Sequence, residues 1–220
     1  MWQDVKYAGR VLLKNRSLSL VAIATLALGI GANTAIFTVI DALLLRPLPY
    51  PHPEQLVTVW QDLRQRGGPA TEWPGPSQHF DWKAQSDVFA ALTSIGGWSA
   101  SVAGGDVPES LVGEQVTREY FDVAGTRPAL GRAFSEQEDI PNAPRVVILS
   151  HGVWTRRFGG DRAIVGRSIR INGEDHEVVG VMPAGFTPLY IPAAAMWRPL
   201  RLNAVNPSRN LAVFHTFGRL

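Results

Sequence analysis

Leu18-Ser-Leu-Val-Ala-Ile-Ala-Thr-Leu-Ala-Leu-Gly-Ile-Gly-Ala-Asn-Thr-Ala-Ile-Phe-Thr-Val-Ile40 is an uncharged run of 23 residues in a chain of 220. As a helix it is about 34 Å long at ~1.5 Å per residue, enough to cross a ~30 Å hydrocarbon core with modest tilt. The run predicts a transmembrane helix. Lys6, Arg10, Lys14 and Arg16 precede it against the single acid Asp4, and the first basic residue after it is Arg46. The positive-inside bias then holds the N-terminus in the cytoplasm and places the chain beyond about residue 45 outside. A cleaved signal peptide would also show KNR, LSLVAIATLALGI and GANTA in this order, but here the apolar pattern continues past Ala35 through Ile36, Phe37, Val39 and Ile40. An anchor is the better reading.

Ahead of the run, Trp2, Val5, Ala8, Gly9, Leu12 and Leu13 share one helical face. Lys6, Arg10 and Lys14 form a stripe beside it, which predicts an interfacial helix with its cations towards lipid phosphates. Within the run, Ala22, Thr25, Gly29, Ala32 and Asn33 fall on one face. Small residues permit close backbone approach and an amide in lipid needs a partner, so this face is expected to pack against other membrane helices.

After the run, Arg46-Pro-Leu-Pro-Tyr-Pro-His-Pro53 predicts an extended, polyproline-like connector. Beyond it the pattern alternates between α and β. Strands are expected at Leu56 to Trp60, Ser94 to Val102, Leu111 to Val116 and Arg145 to Leu149. A helix capped by Ser77 is expected to run to about Leu92, burying Phe80, Ala84, Val88 and Ala91. Short helices are expected around Glu119 to Val123 and over His151 to Phe158. Gly104-Gly-Asp106 marks a turn, and Asn172-Gly173 marks a hairpin between Ser168 to Ile171 and Glu177 to Val181 that Pro183 ends, its loop either tight or lengthened by Glu174 and Asp175.

The net charge is +2, and the basic segment before the run more than accounts for it. Elsewhere basic residues are scattered among acids, which argues against a nucleic-acid surface. There is no cysteine, so the outer domain must rest on its apolar core. His52, His79, His151, His176 and His215 lack metal-type spacing and are expected in surface or capping roles. Ser150-His151 lacks the G-x-S-x-G setting of a nucleophile. Glu136, Glu138 and Asp139 suggest a solvated loop. Gly29-Ile-Gly31 is no dinucleotide fingerprint, because Thr34 stands where a third glycine belongs. Trp82, Trp154 and Trp197 are expected to pack in the core rather than line a ligand surface. No catalytic, cofactor-binding or metal site is expected, and the chain is read as not an enzyme. With no G-x-x-x-x-G-K-[ST], ATP would have to be handled by a partner.

Several motifs in order carry a resemblance. Leu28-Gly-Ile-Gly-Ala-Asn33, Leu44-Leu-Arg-Pro-Leu-Pro-Tyr50, Tyr120-Phe-Asp-Val-Ala-Gly125 with Leu130-Gly-Arg132, Val147-Ile-Leu-Ser-His151 with Trp154, Phe158-Gly-Gly-Asp161 and Val178-Val-Gly-Val-Met-Pro183 together resemble the start of MacB/FtsX-type ABC transporter permeases. The duplicated orphan permeases without a fused nucleotide-binding domain are the nearest in pattern. The resemblance implies a membrane-anchored α+β protein: one N-terminal transmembrane helix, then a mixed α/β extracytoplasmic core domain with a porter-like part and an inserted subdomain. It divides the chain into an interfacial helix at 1–16, a transmembrane helix at 17–45, a connector at 46–55 and a core domain at 56–220. It also implies a bacterial cytoplasmic (inner) membrane location, a separate ABC ATPase subunit and pairing with a second copy or a related permease. Leu211 to Leu220 alternates like a strand, and the family continues from there into further membrane helices, so the chain is expected to be the N-terminal part of a longer protein. The implied function is coupling of the partner's ATP hydrolysis to movement of the outer domain; an anchored binding or scaffold domain without ATP coupling is the alternative.

Overall fold

Arg16–Ile40 forms one helix of 25 residues, α1, long and apolar enough to cross a membrane. None of its side chains is buried. Three of its hydroxyls are satisfied within the helix itself: Thr25, Thr34 and Thr38 donate to the carbonyls of Val21, Ile30 and Thr34 at 2.8, 2.8 and 2.7 Å. That back-bonding lets threonine stand in an apolar stretch without an outside partner. The computed structural model describes residues 7, 14–41, 48–102, 109–205, 207–208 and 213–220. Two compact units make up the chain, Met1–Leu48 and Pro49–Leu220.

The second unit is built on one nine-stranded sheet. Its elements are β1 (Leu56–Val59), α2 (Pro76–Gln85), β2 (Ala91–Val102), β3 (Glu109–Val116), α3 (Tyr120–Ala124), β4 (Leu130–Gly131), β5 (Val146–Leu149), α4 (His151–Phe158), β6 (Ser168–Ile171), β7 (Glu174–Val181), β8 (Met196–Pro199) and β9 (His215–Arg219). Neighbouring strands run β1-β9-β2-β3-β8-β5-β7-β4. β6 pairs with both β7 and β2, so β2, β3, β8, β5, β7 and β6 close into a ring.

Alternation along these strands makes two cores. Trp98, Ala100 and Val102 of β2, Val147 and Leu149 of β5, Ile169 and Ile171 of β6, Val178 and Val181 of β7, and Met196 of β8 meet in one cluster. Because they come from five of the ring's strands, they fill its interior, with Val153 of α4 and Ile164 completing it. The opposite faces send Ile95, Val146, Ile148, Val179 and Trp197 against Tyr120 and Phe121 of α3 and against Phe134. All four residues of β5 are therefore buried, as its unbroken apolar run predicts. Gly131 sits at φ 73° where a Cβ would lie 2.1 Å from the Val179 carbonyl oxygen, so the short β4 pairing with β7 requires glycine there.

The Asn172-Gly173 turn is the tight two-residue form, with φ of 52° and 81° and the pair Ile171↔Glu174 closing it. α4 spans the expected residues, and Ser150 is its cap, accepting from the Val153 amide at 3.2 Å. Two expectations fail. The helix after residue 75 ends at Gln85, six residues before β2 begins at Ala91, and its cap is Gly75 rather than Ser77. Its buried residues are Pro76, Ser77 and His79, whereas Ala84 and Val88 are exposed. Ser86 stops it by turning extended and accepting the Val88 amide at 3.3 Å. The connector also bends rather than running extended: His52 has φ 48° and Pro53–Gln55 is one 3-10 turn, closed by Gln55 donating to the His52 carbonyl at 3.0 Å. Residues 42–47 of that connector, most of the expected interfacial helix and the Gly104-Gly-Asp106 turn lie outside the described residues.

Candidate functional site

Ala22, Thr25, Gly29, Ala32 and Asn33 occupy an arc of about 100° on α1, given 3.6 residues per turn. All five are exposed, and nothing lies within 4 Å of where a Gly29 Cβ would be. They form one shallow strip on which another backbone could seat closely. Lys14 is exposed near the helix start, while Lys6 and Arg10 lie outside the described residues.

In the second unit the densest polar site is one the sequence reading missed. Glu114 of β3 is fully buried, and four donors converge on it. Tyr120 Oη donates to its Oε2 at 2.6 Å and Trp197 Nε1 at 2.8 Å; the Ile191 and Tyr190 amides donate to its Oε1 at 2.7 and 3.2 Å. Tyr120 Oη in turn accepts the Leu189 amide at 3.0 Å. Burial pushes the carboxyl up while these donors oppose the shift, and burial together with the carboxylate raises Tyr120 well above the usual phenol range. The arrangement ties the loop at 189–191 to β3, β8 and α3. The sequence held one weak clue: Glu114 shares the strand parity of Val116, which is buried, although Val112 on the same parity is exposed.

The histidines divide differently from expectation. His79 and His176 are each 2% exposed rather than on the surface. His79 Nδ1 is 3.0 Å from Ser94 Oγ, which is 2.9 Å from Thr216 Oγ1, so a buried hydroxyl network holds the imidazole under α2. The acids at 136–139 are not simply a solvated loop. Arg132 clasps Glu138 with bonds of 2.9 and 2.6 Å, and Asp139 accepts the Arg118 and Arg201 amides at 2.9 and 2.8 Å. Glu138 thus ties the segment after β4 to itself, while Asp139 joins that segment to those after β3 and β8.

Trp197 is 1% exposed and lies in the core, and Trp154 packs against the ring interior. Trp60 behaves otherwise. It is 41% exposed and begins a row in which Trp60 meets Trp73 at 4.1 Å, Trp73 meets His215 at 3.6 Å and His215 stacks on Tyr190 at 3.4 Å between ring centroids.

The fold is shared with solved domains of transporter and permease proteins. The periplasmic region of MacB from Actinobacillus actinomycetemcomitans aligns with a TM-score of 0.55 at 16% identity, covering 76% of this chain and 74% of that one. The extracellular domain of the noncanonic ABC-type transporter YknZ from Gram-positive bacteria gives 0.52 at 17%, covering 74% and 81%. A domain of a Porphyromonas gingivalis protein assigned as a permease gives 0.54 at 15%, covering 78% and 77%. No curated protein matches the sequence. The family model for the MacB-like periplasmic core domain matches residues 19–213, which takes in most of α1 and nearly all of the sheet. The chain thus belongs to the MacB-like periplasmic core domain family of ABC-type transporter permeases, as a membrane-anchored mixed α/β domain behind one apolar helix.

Proposed function

We propose that the chain is a permease subunit of an ABC-type export or mechanotransmission complex, in which ATP hydrolysis by a separate cytoplasmic ATPase moves the outer domain through α1. The observation that carries this reading is the uncovered strip Ala22, Thr25, Gly29, Ala32 and Asn33 on a helix of a family whose members are transporter permeases. A helix that only anchored a domain would need no such strip, since lipid accepts any apolar side chain. In this reading a second copy or a related permease supplies the facing helix. The N-terminus lies on the cytoplasmic side of a bacterial inner membrane, held by Lys6, Arg10 and Lys14 against lipid phosphates. The role is mechanical and non-catalytic, consistent with Ser150 serving as a helix cap and Glu114 as a structural tie.

Because the chain has no cysteine, single cysteines are clean probes. In native membranes, Gly29→Cys and Asn33→Cys are expected to cross-link oxidatively to a second copy, or through a matching cysteine to the related permease, as a band of higher mass. Ala27→Cys, on the opposite face, stays uncross-linked. Equal cross-linking on both faces, or none on either, overturns the helix-pairing reading.

A further inference from the structure

The ring of six strands has an apolar interior, and one of its mouths does not. There Trp98 caps the core, and the Arg198 guanidinium lies over its ring with 4.4 Å from carbon to centroid. Around this stack lies a pocket of about 240 Å³ to which Arg145, Arg198, Arg201, His176, Gln115 and Glu174 contribute. They arrive from β3, β7, β8 and the residues flanking β5 and β8, so no local motif brings them together.

The charges in this pocket do not balance. Among the described residues Glu174 is the single carboxylate on its wall, and it is already paired with Arg145 at 2.7 Å, in a bridge whose side chains are each about half exposed. Arg198 donates to a neutral acceptor, Gln115 Oε1, at 2.9 Å. Arg201 donates to the carbonyls of Glu138 at 3.3 Å and Pro144 at 2.5 Å. Among the described residues neither Arg198 nor Arg201 has an ion pair with a carboxylate. Burial, and then a neighbouring guanidinium (Arg201 for Arg198, Arg145 for Arg201), lowers both groups from the usual arginine range, against the opposing pull of Glu174 on each and of Asp139 and Glu138 on Arg201. His176 Nδ1 is 3.1 Å from the Glu174 carbonyl oxygen, and burial favours its neutral form.

We propose that this mouth of the ring is a binding site for a small oxyanion, a phosphate or a dicarboxylate, held by Arg198 and Arg201 with Arg145 at the rim. Guanidinium groups present paired donors that match such anions, and an anion here neutralises two half-buried charges at once. The aromatic platform under Arg198 fixes its plane, and pockets at barrel mouths are a common place for ligands. Glu174 competes with the ligand for Arg145 and sets the affinity. The site stands independently of how the chain engages an ATPase.

The test is titration calorimetry of the full chain in detergent with inorganic phosphate and with succinate, against sodium chloride at matched ionic strength. Saturable one-site binding of at least one oxyanion is expected, with no equivalent for chloride. Arg198→Gln weakens it about tenfold, the worth of a charge-assisted bond. Glu174→Gln strengthens it about threefold by removing a half-exposed competing charge. That gain cannot come from unfolding, so it tests the site even if Arg198→Gln folds poorly. Heats equal to those of chloride, or affinities unchanged in Glu174→Gln and in a folded Arg198→Gln, overturn the proposal.

Discussion

His79 shows how burial turns a surface-type residue into a pH-dependent support. Desolvation lowers its pKa from 6.5 to about 4, with Glu119 opposing the shift and Lys83 adding to it. The folded protein therefore resists protonating a group that the unfolded chain protonates below pH 6.5. Its contribution is fully present above that value and is lost as pH falls towards 4. Denaturant unfolding at pH 7 and pH 4.5 is expected to show a loss of stability that is smaller by roughly 2 kcal/mol in His79→Gln, from about 1.4 kcal/mol per pKa unit over the part of the shift that this pH range spans. Identical losses in the two proteins would contradict this placement of the imidazole. Glu114 works in the opposite direction: its raised pKa favours the protonated folded state, so the stability it lends is full below 4.5 and declines as pH rises through its folded value. Neither residue could be placed from the sequence, because a lone polar residue on an apolar stripe does not reveal which distant groups will satisfy it. The partners of His79 come from β2 and β9, and those of Glu114 from α3, the loop at 189–191 and β8.

Among the elements, those whose pattern is local were readable. β5 announces itself by four apolar residues and the β6-β7 hairpin by Asn172-Gly173, and α4 follows β5 over the expected residues, with a serine cap that the structure reveals. β4 and β8 were not. β4 has two residues and exists because Gly131 lets β7 approach; β8 is Met196-Trp-Arg-Pro199, buried on both faces and lacking alternation. The helix α2 was misjudged because apolar spacing from Phe80 to Ala91 suggested a continuing helix, whereas Ser86 offered the backbone a local bond. Asn172 does more than turn the hairpin. Its Oδ1 accepts the Ser101 amide at 2.7 Å, its Nδ2 donates to the Ser99 carbonyl at 3.0 Å, and its own amide donates to the Ser101 carbonyl at 2.8 Å. These bonds join β6 to β2 where the strand pairing is a single position, Val102↔Ile171. Asn172→Ala is expected to cost about 2–3 kcal/mol in denaturant unfolding, from two lost bonds and a left-handed backbone that alanine disfavours. Asn172→Gly relieves the backbone and costs about half as much. Equal effects would mean that the side-chain bonds, and not the turn geometry, carry the closure.

At the scale of the whole molecule, the order of motifs from the apolar run to the hairpin was enough to place the chain in its family, and the match over residues 19–213 agrees. What order along the chain could not show is what folding brings together from far apart. The aromatic row gathers Trp60, Trp73, Tyr190 and His215, and the arginine-lined mouth gathers residues from 115 to 201. Both depend on closure of the sheet rather than on any local spacing. The central claim is that the outer domain moves in response to ATP. It is tested by one measurement: electron–electron distance spectroscopy between copies of the full chain carrying a spin label at Asp175→Cys, an exposed position on the β6-β7 hairpin, in native membrane vesicles with and without ATP. The account predicts a distance distribution between copies that shifts when ATP is hydrolysed and returns when hydrolysis is blocked. A distribution unchanged while ATP is consumed, or no distance between copies at all, would contradict it.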